Sequence, residues 1–225
     1  MTSQEVADWY QEFHERKGVS IITEMNVERI DEIDDGFQLF CSNGGAYEAD
    51  LIIIGTGIKV NQRLASEAGL NVGNGIEVNA YMQSSDPDIY AIGDCSWHEN
   101  KAYKGKMRLE SVQNAVEQAK VAAGHIVGKE KAFHNIPWFW SDQFDAKLQM
   151  VGIMDGYDEI LVRKESPAET ISVWFFQGEK LLAVHAINQP RSYMLGTKLI
   201  KSGEKVNKEV LINPEIALTP SSLIG

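Results

Sequence analysis

Pro87-Asp-Ile-Tyr-Ala-Ile-Gly-Asp-Cys95, followed after a loop by Arg108-Leu-Glu-Ser-Val-Gln-Asn-Ala115, is the stretch that decides the fold. The apolar run Ile89-Tyr-Ala-Ile92 predicts a buried strand that ends at Gly93-Asp94. From Glu110 a helix is predicted, because Val112, Ala115, Val116, Ala119, Ala122, Ala123 and Ile126 recur at intervals of three and four until Gly128. Alanines on that face permit close packing on a sheet. A strand that delivers a carboxylate to its carboxyl end, beside a helix N-terminus with free N–H groups, is how an open α/β sheet holds a polar cofactor. Asp94 would accept hydrogen bonds from a sugar-like chain, and the helix dipole would favour an electron-rich ring or an anion. The plainer alternative is that Asp94 caps a turn and the helix simply packs.

Upstream, Leu51-Ile-Ile-Ile54 is an all-apolar run closed by Gly55-Thr-Gly57, which predicts a second strand buried on both faces in a parallel sheet. Before it, Thr2-Ser-Gln-Glu5 reads as a capping box for an amphipathic helix carrying Val6, Trp9, Tyr10 and Phe13 and stopped by Gly18. Short segments at Val19 to Thr23, Val27 to Ile33, Phe37 to Cys41 and Ala46 to Glu48 then predict an antiparallel meander, with turns at Asp35-Gly36 and Asn43-Gly44-Gly45. A helix over 61–68 and a weak strand over 76–78 fill the interval before Pro87. Downstream, Ile136-Pro-Trp-Phe-Trp140 breaks the pattern and marks a domain boundary. Beyond it come strands over 147–153, 159–163, 170–177 and 180–187, with a tight hairpin at Gly178-Glu179, and a helix over 191–200.

Composition narrows the function classes. With 225 residues, 44% of them hydrophobic, the chain can bury one large core or two modest ones. A net charge of -11 argues against a nucleic-acid surface, which needs a basic face. No apolar run approaches the roughly 20 residues of a membrane span, and Met1-Thr-Ser-Gln-Glu lacks the basic and apolar regions of a signal peptide, so a cytoplasmic protein is expected. Cys41 and Cys95 form no CxxC pair, which excludes a disulfide framework, a zinc ribbon and a dithiol motif. The five histidines, at 14, 98, 125, 134 and 185, have no metal-ligand spacing. Asp34-Asp35 reads as a turn.

Four segments together resemble one known family: Ala49-Asp-Leu-Ile-Ile-Ile-Gly-Thr-Gly57, Pro87 to Cys95, Arg108 to Ala115, and Pro137-Trp-Phe-Trp-Ser-Asp-Gln-Phe-Asp145 with Lys147-Leu-Gln149. They are similar, in order and spacing, to the FAD-dependent NAD(P)H:ferredoxin reductases that serve oxygenases, the putidaredoxin reductase and biphenyl dioxygenase reductase family. The last segment is the most specific; the Gly-Asp segment is shared by many flavoproteins. The resemblance implies an incomplete doubly wound FAD/NAD(P)-binding parallel sheet with an antiparallel meander, plus an α+β C-terminal reductase domain. It divides the chain into 1–60, the C-terminal part of an NAD(P)-binding domain; 61–135, the second half of an FAD-binding domain; and 136–225, the C-terminal reductase domain. It also implies that Asp94, with Gly93, binds the ribityl and phosphate region of FAD. The backbone at Val112 would approach the flavin ring, with Glu110 and Ser111 at the same helix start and Glu110 near the nicotinamide. Gly57 corresponds to a position where the backbone passes close to NAD. Trp140 would cover the flavin and nicotinamide region; for it, and more so for Trp138, a domain-interface core is the alternative. Hydride passes from nicotinamide to flavin without an acid or base, so no catalytic side chain is expected.

The chain departs from that family in front. No GxGxxG occurs, whereas family members carry two such fingerprints, so the resemblance has the chain start within the NAD(P) domain with an N-terminal half missing and no cradle for a pyrophosphate. The open edge of the parallel sheet would be adhesive. Gln83-Ser-Ser85 stands where an Arg-Thr-Ser-like stretch is usual. Lys101, Lys104, Lys106 and Arg108 form a local basic patch that could steer an acidic 2Fe–2S ferredoxin, since screening confines steering to about 10 Å; flanking Glu99 and Glu110 allow a solvated loop of mixed charge instead. Three readings therefore stand: a flavin-dependent ferredoxin reductase, a truncated or split non-catalytic module that completes a flavin site or binds a ferredoxin only with a partner chain, and a disulfide-reductase-like flavoprotein for which Cys41 and Cys95 are poorly placed.

Overall fold

The computed structural model describes residues 2–100, 103, 105–165 and 170–224. The chain divides into two compact units, Met1–Lys59 and Val60–Gly225.

The first unit begins with helix α1 (Gln4–Arg16), on which Val6 and Phe13 are buried and Trp9 stacks on Phe13 at 5.0 Å. Ser3 occupies the N-cap and makes no side-chain cap hydrogen bond. The expected capping box thus fails by one residue: with the cap at Ser3, Glu5 falls at the second helical position, too early to reach back. Gly18, at φ +88°, stops the helix, and 19–23 follows as irregular chain rather than a strand. The meander itself forms as β1 (Val27–Ile33), β2 (Gly36–Cys41) and β3 (Ala46–Ala49), in that order and antiparallel throughout. Its second turn is closed by the Gly45 N–H donating to Asn43 Oδ1 at 2.8 Å.

The predicted strand over 51–54 does not form. Residues 51–62 carry no secondary structure, and Leu51, Ile53 and Ile54 are 73%, 86% and 72% exposed. Such a run is stable as a central parallel strand only between two flanking strands, and among the described residues none pairs with it.

The second unit opens with the short helix α2 (Arg63–Glu67) and a four-stranded sheet in the order β4 (Val72–Gly73), β5 (Gly75–Val78), β6 (Ser96–Glu99) and β7 (Lys106–Met107). Here β5 and β6 are parallel, with Ile76, Glu77 and Val78 opposite Ser96, Trp97 and His98. The parallel pair thus uses Ser96–Glu99, not the predicted 89–92. That stretch is captured locally instead: Ala91 N–H donates to Met82 O, Ser84 N–H donates to Ile89 O, and Tyr90 bridges Gln83. Ala91 is buried with Val78, Met82, Ala122 and Phe133, while Ile89 and Ile92 face outward. A 3₁₀ turn (Gly93–Cys95) leads into β6, and helix α3 (Val112–Ile126) covers it as predicted.

The rest is an antiparallel five-stranded sheet in the order β10 (Glu159–Glu165), β11 (Thr170–Gln177), β12 (Lys180–Ile187), β9 (Ala146–Gly152) and β8 (Trp138–Gln143). Strand β8 forms where a break was expected. Pro137 precedes its first residue, where a missing N–H costs nothing. Helices α4 (Pro190–Ser202), α5 (Lys208–Ile212) and α6 (Pro220–Leu223) close the core, which gathers Trp174, Phe176, Val184, Leu195, Leu211 and Leu223. Gly196 lets α4 sit against β12, since a Cβ there would stand 2.5 Å from Val184 Cγ2. The buried Arg163 guanidinium donates to the carbonyls of Leu211, Asn213 and Ile216, tying the C-terminal segment to β10.

Candidate functional site

Helix α3 sets the geometry. Its N-cap is Ser111, whose hydroxyl accepts the Asn114 N–H at 3.2 Å. No acidic residue stands in its first turn, so the positive end of the helix is uncompensated from within. Val112, the first helical residue, is 63% exposed. Next to it, strand β8 lies at the sheet edge and alternates exposed and half-buried residues, which points Trp138 and Trp140 to one face. Their rings are 5.4 Å apart and tilted by 34°.

Val112, Val116, Ile136, Trp138 and Trp140 line a hollow of about 450 Å³, with Gln113, Glu117, Asn135 and Lys201 as its polar margin. A second hollow of about 590 Å³ shares the two indoles and is bounded by Asp142, Lys147, Gln149 and Asn188. The indole pair is therefore a wall with open space on both sides. A flat apolar wall beside a bare helix N-terminus suits a planar, electron-rich ring.

Two of the residues singled out from the sequence, Val112 and Trp140, meet in the first hollow; Asp94, Gly93, Glu110 and Ser111 do not line it. They lie around the same helix. Gly93, at φ +74°, packs its backbone on α3: a Cβ there would stand 3.5 Å from Ala115 Cβ. Its N–H donates to Gln118 Oε1 at 2.7 Å. Asp94 follows with an exposed side chain, and its carbonyl accepts from Arg108 Nη1 at 3.1 Å. The same Arg108 guanidinium pairs with Glu110 at 2.6 Å, which fixes that carboxylate just ahead of the helix. Gly57 belongs to the other unit; its φ is +94° and nothing lies within 4 Å of a Cβ built on it.

Of the expected basic patch, Lys101 and Lys104 lie outside the described residues. Lys106 pairs with Glu77 at 3.0 Å and sits over the Trp97 ring, and Arg108 is engaged as above. Two of the four charges are thus already matched. The Lys120 ammonium likewise holds the Glu117 carboxyl below its ordinary pKa range by donating a hydrogen bond to it. Tyr103 donates to the Leu182 carbonyl at 3.1 Å, and burial pushes its phenol up to about 12.

The polar residues beneath the site were not singled out beforehand. Gln118, on the buried face of α3, hydrogen-bonds Ser96 and His98 from β6, while Asn114, one turn earlier, donates to the Leu109 carbonyl at 3.1 Å. Two amides at i and i+4 among alanines were the available signal. Burial lowers the pKa of His98. Among the described residues no group of three or more His, Cys, Asp or Glu could hold a metal ion, and no helix is long and apolar enough to cross a membrane. Cys41 and Cys95 are both free.

Comparison with known proteins bears on this arrangement. A family profile described as pyridine nucleotide-disulphide oxidoreductase matches residues 1–119, and one described as reductase C-terminal matches residues 138–221. A putidaredoxin reductase of Pseudomonas putida is 38% identical over 97% of this chain and 52% of its own length. Among solved structures, the ferredoxin reductase for the CYP199A2 system of Rhodopseudomonas palustris superposes with a TM-score of 0.92 at 30% identity, over 99% of this chain and 55% of that one. The covalent putidaredoxin reductase–putidaredoxin complex superposes with a TM-score of 0.90 at 38% identity, over 96% of this chain and 52% of that one. The chain spans about half the length of the curated relatives it matches.

Proposed function

The chain belongs to the pyridine nucleotide-disulphide oxidoreductase family, and from that premise we propose that it serves in passing electrons from NAD(P)H through FAD to a 2Fe–2S ferredoxin of an oxygenase system. The observation that carries this reading is the hollow lined by both the first residue of α3 and the Trp138–Trp140 pair. FAD, when bound, supplies hydride acceptance from nicotinamide and one-electron delivery to the ferredoxin.

The residues fit the ring and the polyol of such a cofactor. Val112, Val116 and Ile136 offer apolar surface, and the indoles exclude water from one side of it. The α3 N-terminus, capped by Ser111 and without an acidic residue in its first turn, turns its positive end toward a ring near Val112. Asp94, with its exposed side chain, accepts hydrogen bonds from hydroxyls of the ribityl chain, and the backbone of Gly93 allows close approach. Glu110, held by Arg108, stands at the nicotinamide side, and the unobstructed backbone at Gly57 passes beside NAD(P). In this scheme 1–60 is the C-terminal part of the NAD(P)-binding domain, 61–135 the second half of the FAD-binding domain and 136–225 the reductase domain. The acidic ferredoxin docks at the Lys101, Lys104, Lys106 and Arg108 loop, in the cytoplasm. That one solved relative is a complex with putidaredoxin supports a ferredoxin as partner.

A second reading is favoured by one observation, the exposed Leu51, Ile53 and Ile54: the chain completes a flavin site only together with a partner chain. FAD titration of the purified chain, followed by NADH addition and ferredoxin reduction, separates the two. A yellow chain bleached by NADH supports the first. A chain that takes up FAD only when mixed with the Gly-rich half of a relative supports the second. No flavin uptake under either condition overturns both.

A further inference from the structure

Helix α3 and the Gly93–Cys95 turn are joined by a fully buried amide in the second turn of the helix. Gln118 Oε1 lies 2.7 Å from the Gly93 nitrogen. An amide N–H can be met only by an acceptor, so the carboxamide oxygen must be the atom facing Gly93. The Ser96 hydroxyl stands 2.8 Å from that oxygen and 2.9 Å from the Gly93 carbonyl, and its single proton serves one of the two. With the oxygen assigned, the Gln118 NH₂ group is the one 3.2 Å from His98 Nδ1. Nδ1 must then accept, which puts the imidazole proton on Nε2. Burial favours that neutral form. His98 Nε2 finds no partner among the described residues, and turning the ring over would take Nδ1 away from the Gln118 amide.

We infer that Gln118 is a positioning residue: its buried carboxamide ties the Gly93–Cys95 turn to α3 and so fixes Asp94 relative to the exposed start of the same helix. Residues 25 apart in sequence are locked by one side chain. The β5–β6 ladder holds the chain only from Ser96 onward and residues 89–92 form no regular strand, so within the turn the Gly93 N–H is met by the Gln118 side chain. The functional weight of this inference rests on the proposed role of Asp94 toward flavin, but its geometry does not.

The test uses the full 225-residue chain without flavin, so its failure is distinct from a failed flavin titration. Amide hydrogen exchange at Gly93 is read by NMR in the wild type, Gln118→Met and Gln118→Glu, with Val184 in the C-terminal sheet as internal control. Methionine fills the space without accepting, so Gly93 exchanges about tenfold faster or more while Val184 is unchanged. Glutamate restores an oxygen and returns Gly93 to within about threefold of wild type. It also removes the donor facing His98, so the His98 proton moves to Nδ1, visible in the imidazole ¹⁵N shifts. A merely space-filling role would leave Gly93 protected in the methionine variant, which overturns the inference. So does a glutamate variant no better protected than methionine, or a wild-type His98 carrying its proton on Nδ1, a measurement that requires no variant to fold.

Discussion

Leu51-Ile-Ile-Ile54 and Ile171-Ser-Val-Trp-Phe-Phe176 are both apolar runs with strong strand propensity, yet the first lies open to solvent and the second is buried from end to end. The second has antiparallel neighbours delivered by short connections: Gly178-Glu179 turns β11 directly into β12, and Trp174 faces Val184 across the ladder. The first needs parallel neighbours, which a chain can supply only through long crossovers, and among the described residues none pairs with it. Strand formation is therefore decided by what stands beside the run, not by the run. The C-terminal sheet carries its own partners; the 51–58 segment does not.

That contrast can be broken or sharpened at several points. The largest effect is expected at Gly152, where a Cβ would stand 2.1 Å from the Leu182 carbonyl oxygen and φ is +83°. Gly152→Ala should cost about 4 kcal/mol or more in thermal or urea unfolding, against less than ~0.5 kcal/mol for Gly55→Ala, whose surroundings are empty. Equal effects would mean that the two regions are not as different as drawn. Next, Trp174→Ala should cost about 3–5 kcal/mol, whereas Leu51→Ser with Ile53→Ser and Ile54→Ser should change stability by under ~0.5 kcal/mol and raise solubility. A cooperative loss of stability in the triple variant would show that the run is packed after all.

A pH experiment probes the same sheet. Burial lowers the pKa of His185 on β12 from 6.5 to about 4. The folded state thus binds fewer protons than the unfolded one between those values, so stability falls as pH drops from about 6.5 toward 4, by about 3 kcal/mol in all. His185→Asn should show a shallower decline over that window; an identical decline would assign the acid sensitivity to other groups. The smallest effect concerns the site: Trp140→Ala, half exposed at an edge, should leave the unfolding midpoint within a degree or two.

The readable parts of the chain are those whose determinants are local. Helix α3 was legible from its alanine spacing, and the β11–β12 hairpin from Gly178-Glu179. The misread parts depend on distant atoms. Residues 89–92 look like a strand, but Met82 and Ser84 take their hydrogen bonds first. Strand β8 was hidden by Pro137, which reads as a break and in fact precedes an edge strand. The start of α1 was misjudged by one residue, enough to undo a capping box. At the site, no pattern in the sequence could bring Val112 and Trp140 to one hollow; the family resemblance supplied that expectation. The tie between Gly93 and Gln118 had no local signature.

The central claim, that the α3 N-terminus and the indole pair hold one flavin ring, is tested most directly by tryptophan fluorescence during FAD titration of the chain and of Trp140→Ala. The account predicts saturable quenching in the wild type and about tenfold weaker binding once the stacking indole is gone. Quenching that does not saturate, or an affinity untouched by losing Trp140, would contradict it.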